Sequence, residues 1–230
     1  PTRRSSDLNL VLKKIDLSIE NPGLYSLVGS NGCGKSTIFK LLERFYECKV
    51  GKIEINQVPI NKYSASDLRN NIVYMPKKPF FLQGTIMDNL KLGQNEISDL
   101  EVIEVCKKVG IHSDIQKLEK GYYELIESGG ENFSSGQKQK LGFVRVLLKK
   151  ADIVLLDEVT SDLDGEAERQ ICNQIEEIAK KAIVLNIAHK PESIRRSKKV
   201  FFIQGGKIVA EGTHKALMKN CVDYKKIFAN

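Results

Sequence analysis

Gly29-Ser30-Asn31-Gly32-Cys33-Gly34-Lys35-Ser36 is a complete G-x-x-x-x-G-K-[ST] run. The apolar stretch Leu24-Tyr25-Ser26-Leu27-Val28 precedes it, and Thr37-Ile38-Phe39-Lys40-Leu41-Leu42, with helical apolar spacing, follows. Strand, glycine turn and helix in that order predict an α/β core carrying a phosphate-binding loop. Glycine at 29, 32 and 34 lets the backbone take positive φ and come close to a ligand, so that successive N–H groups can point at phosphate oxygens. Those amides run into a helix N-terminus, whose dipole favours the same anion. Lys35 adds a mobile charge for the β- and γ-phosphates, and the Ser36 hydroxyl can hold Mg²⁺. Gly29 through Thr37 is therefore the candidate nucleotide-binding set.

The chain has 230 residues, 41% of them apolar, enough to bury one substantial α/β core with an inserted subdomain. Its longest apolar runs, such as Ile153 to Leu156 and Ala182 to Leu185, are far too short to cross a bilayer. The net charge of +7 invites a nucleic-acid reading, but the basic residues are spread along the chain and alternate with acids. No long basic run or aromatic-plus-basic module stands out, so no nucleic-acid partner is expected and solvated faces account for the charge. The five cysteines, at 33, 48, 106, 172 and 221, are odd in number and widely spaced, which fits neither a zinc site nor a disulfide framework. Cys33 lies inside the phosphate loop, where its alkylation or oxidation should block nucleotide.

Leu10, Leu12, Ile15, Leu17 and Ile19 largely alternate with polar residues, predicting half-buried strands over Leu8 to Ile19, closed by the turn Asn21-Pro22-Gly23. Gly51 to Asn56 and Asn71 to Met75 read as further strands. From Pro76 the pattern turns helical. Ser98-Asp99-Leu100-Glu101 is a capping box opening a helix to Val109 with Gly110 as its stop, and Leu100, Ile103 and Cys106 share its apolar face, widened by Val102, Val105 and Val109. Residues 76–145 thus predict a helical subdomain inserted in a core made of 1–75 and 146–230. The core resumes at Ala151 to Leu156, continues through a helix near Glu166 to Lys180 and a strand at Ala182 to Ala188, and ends in a strand pair around Val200 to Ala210.

Ile153-Val154-Leu155-Leu156 ends in Asp157 and Glu158. In open α/β sheets functional groups gather at the carboxyl ends of strands. Asp157 there is placed to hold magnesium through its water shell, and Glu158 can accept a hydrogen bond from the water that attacks the γ-phosphate. Acidic pairs at strand ends also cap helices, so these two residues alone leave both readings open. Phe133-Ser134-Ser135-Gly136-Gln137 enters another helix; its amides and hydroxyls are a possible anion site or simply a helix cap.

The order of the motifs discriminates. The phosphate loop, Phe133 to Gln137, Ile153 to Glu158, Ser161-Asp162-Leu163-Asp164 and His189 after a strand together resemble the nucleotide-binding domain of ATP-binding cassette proteins, over essentially the whole chain. The resemblance implies a P-loop NTPase (RecA-like) α/β core with a mostly parallel sheet, an N-terminal antiparallel β subdomain and an inserted α-helical subdomain. It also implies ATP and Mg²⁺ as cofactors, with Ser36 and Asp157 toward the metal and Lys35, Glu158 and His189 in catalysis. Phe133, Ser134, Ser135, Gly136 and Gln137 match the signature that closes over ATP on a partner cassette, in a homo- or heterodimer. Ser161, Asp162, Leu163 and Asp164 match the D-loop crossing that interface, and His189 the histidine that contacts the γ-phosphate. Phe80 to Leu90 and Ala210 to His214 resemble the exporter branch, in which a transmembrane domain precedes the cassette on the same polypeptide; the start at Pro1 fits that expectation. The cassette would then lie on the cytoplasmic side of a membrane.

Three departures from the family pattern stand out. Lys77 occupies the slot of a glutamine that senses Mg²⁺; an ammonium donates but cannot accept and is repelled by the metal, so it either swings away or reaches a phosphate. Phe133 replaces leucine, and Ser135 replaces the first signature glycine, adding a Cβ beside the partner's nucleotide. No Tyr, Phe or Trp precedes Tyr25 to stack on adenine. Two rival readings are a non-transport cassette ATPase of the DNA-repair or ribosome-associated kind and a regulatory cassette with weak turnover.

Overall fold

In chain order the computed structural model, which describes residues 11–94 and 96–228, runs β1 (Gly23–Val28), α1 (Lys35–Leu42), β2 (Glu54–Ile55), β3 (Val58–Pro59), α2 (Ala65–Asn71), β4 (Ile72–Met75), β5 (Gly84–Thr85) and α3 (Ile86–Lys91). It continues through α4 (Asp99–Val109), α5 (His112–Gln116), β6 (Leu125–Ile126), α6 (Ser135–Lys149), β7 (Ile153–Asp157), α7 (Gly165–Ala179), β8 (Ile183–Ile187), α8 (Pro191–Arg195), β9 (Lys199–Gln204), β10 (Lys207–Gly212), α9 (His214–Asn220) and α10 (Val222–Ile227). The described residues fall into two units, the first made of 11–21, 25–63 and 187–228, the second of 22–24, 64–94 and 96–186.

In the first unit β1 pairs in parallel with β9, Tyr25 to Val28 opposite Lys199 to Phe202, and β10 returns antiparallel on β9. Within this unit β1 is buried at Tyr25, Leu27 and Val28, as a parallel strand covered on both faces requires. Its central Ser26 is fully buried as well, and its hydroxyl is matched by that of Ser197 at 2.6 Å, so the polar group is not stranded. Val28, Val200, Phe202, Leu217 and Tyr224 form this unit's core.

The predicted strand over Leu8 to Ile19 differs from what forms. Among its described residues, the stretch keeps the alternation of exposure but pairs only at Lys14 with Lys207, next to a bond from Lys13 N–H to the Gly206 carbonyl; Leu8 to Leu10 lie outside the described residues. The predicted strand from Gly51 to Asn56 shortens to Glu54–Ile55 because Asn56 and Gln57 both take positive φ, 50° and 64°, and turn the chain into a tight antiparallel hairpin with β3.

In the second unit β4 and β7 pair in parallel, Ile72 to Met75 opposite Ile153 to Leu156, and β5 pairs antiparallel with β6. The pairing is thus parallel at the core strands with antiparallel additions, the mixed α/β arrangement expected. α4 begins at an N-cap Ser98, whose side chain accepts from Glu101 N–H, and stops at left-handed Gly110 as predicted. Its buried face is shifted, however: Val102, Cys106 and Val109 are fully buried while Leu100 is 74% exposed. The i, i+4, i+7 row running from Val102 points at α6 and α7, and Leu100 falls outside it. Among the described residues, no helix is long and apolar enough to cross a membrane.

Candidate functional site

The phosphate loop lies in the first unit. Gly32 and Gly34 take φ of 77° and 108°, which is the freedom expected of them. Gly29 does not; a Cβ there would meet the Ile203 carbonyl oxygen of β9 at 2.2 Å, so its glycine is required by the approach of a neighbouring backbone. Lys35 is 6% exposed, and its ammonium donates to the carbonyls of Gly29 (2.7 Å) and Ser30 (3.0 Å), with Cys33 Sγ at 3.8 Å. A buried cation is thus held on neutral oxygens. α1 starts at Gly34 with no side-chain cap and no acid in its first turn, so its positive end is left for an outside anion. Cys33 is buried and its thiol is free. His189 follows β8 and is exposed.

The carboxylates Asp157 and Glu158 lie in the second unit. β7 delivers Asp157 at its carboxyl end, 7% exposed, where the Tyr74 hydroxyl from β4 approaches Asp157 Oδ2 at 3.4 Å. The next residue, Glu158, has φ +52°, a left-handed conformation that is uncommon for a residue with a Cβ and that clusters at functional sites. Lys77 Nζ meets Glu158 Oε2 at 2.5 Å. The Lys77 side chain is 52% exposed and that of Glu158 18%. The bond from Glu158, then its charge, hold the Lys77 ammonium above the ordinary lysine value, with smaller contributions from Asp162 and Asp157. Neither of the two positions expected for Lys77 included this pairing.

The segment from Phe133 to Gln137 takes the helix-cap form. Ser134 caps α6 and accepts from Gln137 N–H at 3.2 Å, while Gln137 Oε1 accepts from Ser134 N–H at 3.0 Å. Phe133 is buried, whereas Ser134 and Ser135 are exposed. Gly136 lies against the chain after Glu158: a Cβ on it would stand 3.3 Å from the Asp162 carbonyl oxygen. Ser161 and Asp162 are exposed, Leu163 is buried, and Asp164 caps α7 by accepting from the N–H groups of Ala167 (2.8 Å) and Glu166 (3.1 Å). The Ala167 bond in particular holds the Asp164 carboxyl below the usual range.

Sequence reasoning missed Gln139. It is 2% exposed on α6, and its amide donates to Ser161 Oγ at 3.2 Å and, in a long contact, to the Lys77 carbonyl at 3.5 Å, while Ser161 Oγ donates to Asp162 Oδ1 at 3.2 Å. Gln139 Oε1 is buried and has no hydrogen-bond partner among the described residues. Nothing in the local pattern separates this glutamine from the polar residues around it. Tyr74 was equally silent, reading only as one residue of a strand.

Comparison with known proteins shows what the chain as a whole is similar to. The family model described as ABC transporter matches residues 12–161. The ABC multidrug transporter MDR2 of Trichophyton rubrum is 39% identical over 215 residues, covering 91% of this chain and 16% of that protein. The putative export ATP-binding/permease protein RT0691 of Rickettsia typhi is 37% identical over 217 residues, 94% of this chain and 38% of the relative. A solved bacterial Atm1-family ABC exporter with ATP bound superimposes with a TM-score of 0.91 at 29% identity, covering 95% of this chain and 39% of the other. The chain therefore spans well under half the length of each of these relatives.

Proposed function

Since this chain belongs to the ABC transporter family, we propose that it is the ATP-binding and ATP-hydrolysing cassette of a membrane exporter. The observation that carries ATP binding is the phosphate loop, whose uncapped helix start and buried Lys35, held by the Gly29 and Ser30 carbonyls and Cys33 Sγ with no acid among these three, form a site that an anionic phosphate would complete. The exporter reading is supported by similarity to transporters described as multidrug and export proteins.

Gly29, Ser30, Asn31, Gly32, Cys33 and Gly34 present backbone amides to the phosphates, Lys35 neutralises the β- and γ-groups, and Thr37 completes the first turn of the binding helix. Ser36 and Asp157 supply hydroxyl and carboxylate oxygens, the donors that a hard cation such as Mg²⁺ takes, and these are the residues that would hold it. Bound there, Mg²⁺ would neutralise charge on the phosphates. Glu158 accepts a proton from the attacking water, and His189 donates a hydrogen bond to the γ-phosphate.

For partners, we propose a second cassette, the ATP on whose phosphate loop faces Phe133, Ser134, Ser135, Gly136 and Gln137, with Ser161 to Asp164 at the interface. A transmembrane domain is the other partner, which places the cassette at the cytoplasmic face of a membrane. An open groove lined by Met75, Pro76, Pro79, Phe80 and Leu92, with Phe80 64% exposed, is an apolar surface suited to that domain.

The decisive experiment compares steady-state ATPase activity and ATP binding of the protein with those of Glu158→Gln. Turnover should vanish in the variant while ATP binding is retained; undiminished hydrolysis sinks the role given to Glu158.

A further inference from the structure

We propose that Lys77 is a positioning residue that latches Glu158, holding its carboxylate away from the attacking water until the loop carrying Lys77 moves; this rests on the reading of Glu158 as the general base.

The contact is short and charge-assisted, 2.5 Å from Lys77 Nζ to Glu158 Oε2. A carboxylate oxygen that accepts from an ammonium is occupied, and must give up that bond before it can take a hydrogen bond from water. The pair also places a cation at the carboxylate that is to receive a proton, and Asp157 and Asp162 add their negative charge to keep the ammonium there. Glu158 is held from the backbone side as well, its φ of +52° fixing where the side chain leaves the strand end.

The latch has a release route. Lys77 lies between Pro76 and Pro79 in a short loop outside the regular elements, where its own φ and ψ are not fixed by either ring. Its carbonyl faces the amide of Gln139, and the same amide donates to Ser161 Oγ, which in turn is bonded to Asp162. Displacing the exposed Ser161–Asp162 segment therefore pulls on the group that faces the Lys77 backbone. The unpartnered Gln139 Oε1 means that this amide has an acceptor to spare in a rearranged network.

The test uses Lys77→Gln, Lys77→Arg, Glu158→Gln and the Lys77→Gln/Glu158→Gln double variant. Lys77→Gln should raise kcat about three- to tenfold with KM unchanged, because it takes the ammonium off Glu158 Oε2 without touching the phosphate loop. Lys77→Arg, which can keep the pair, should give a smaller rise. The double variant should be as inactive as Glu158→Gln. A readout independent of turnover is acetylation of Lys77 in the nucleotide-free protein, followed by mass spectrometry: Glu158→Gln should speed it several-fold. A kcat in Lys77→Gln that is unchanged or lower, or Lys77 acetylation indifferent to Glu158→Gln, overturns the latch. If Glu158→Gln itself turns over ATP normally, the base assignment fails; an inactive Glu158→Gln with no acceleration in Lys77→Gln sinks the latch alone.

Discussion

Arg145 and Asn89 grip each other twice: Arg145 Nε donates to the Asn89 carbonyl at 2.7 Å and Nη2 to Asn89 Oδ1 at 2.9 Å. The same guanidinium donates through Nη1 to the Phe80 carbonyl at 2.5 Å and lies 4.4 Å from the centre of the Phe81 ring. Burial brings its pKa down to about 10, yet several donors in a rigid fork are used at once. Asn89, 2% exposed, spends its remaining amide protons on the Leu82 and Thr85 carbonyls. One side chain on α6 therefore fixes α3 and the chain leading into it.

Arg145→Met should lower the unfolding free energy by about 2–3 kcal/mol, since it takes the charged donor from two backbone carbonyls and leaves Asn89 Oδ1 on the Leu82 N–H. Arg145→Lys should recover little of it, because a single ammonium cannot span all three acceptors. Urea denaturation of the two variants checks both statements; equal stability of Arg145→Lys and the parent would refute the fork argument.

The two loop glycines should fail for different reasons. Gly29→Ala drives a Cβ into the Ile203 carbonyl, 2.2 Å away, and neither partner is a flexible side-chain tip. Gly32→Ala meets nothing within 4 Å and has only its φ of +77° against it, a penalty of about 1–2 kcal/mol. Thermal unfolding should therefore show a larger loss for Gly29→Ala than for Gly32→Ala. The reverse order would mean that β9 yields and the strain argument is misplaced.

These glycines also mark how far sequence carries. The motif located the loop, the order of motifs located the carboxylates, and Ser98 and Gly110 placed both ends of a helix, because each is a local rule written in a few adjacent residues. What stayed hidden is long-range. Gly29 answers to β9, some 170 residues later in the chain, Lys77 to Glu158 across 81 positions, and Gln139 to two separate loops. Leu100 was misplaced for a related reason: a helix with apolar residues around much of its circumference leaves its buried face to be chosen by neighbours.

Lys35 offers a separation of function from stability. In Lys35→Met two carbonyls lose a donor, which destabilises, while a buried charge is removed, which stabilises. The opposing effects should leave unfolding free energy within about 1 kcal/mol of the parent, whereas ATP affinity should fall at least about tenfold through loss of the phosphate contact. A fluorescent ATP analogue titrated against both proteins, alongside thermal unfolding, distinguishes this from a general collapse of the loop.

His214 predicts how stability responds to acid. It opens α9, its Nδ1 lies 2.9 Å from the Tyr224 hydroxyl, and its ring packs edge-on against Tyr224 and Phe228. Burial first, and the positive charge of Arg195 second, hold its pKa below the ordinary histidine value. The unfolded chain thus takes up this proton at a higher pH than the folded one does, so the contribution is fully present above about pH 6.5 and is lost as pH falls through the lower folded value. Stability should accordingly decline between neutrality and mildly acid pH, and His214→Gln, which cannot titrate, should flatten that decline while keeping a polar partner for Tyr224. Denaturant midpoints for the two proteins across this range carry the test: parallel curves would show that the acid sensitivity originates in other groups.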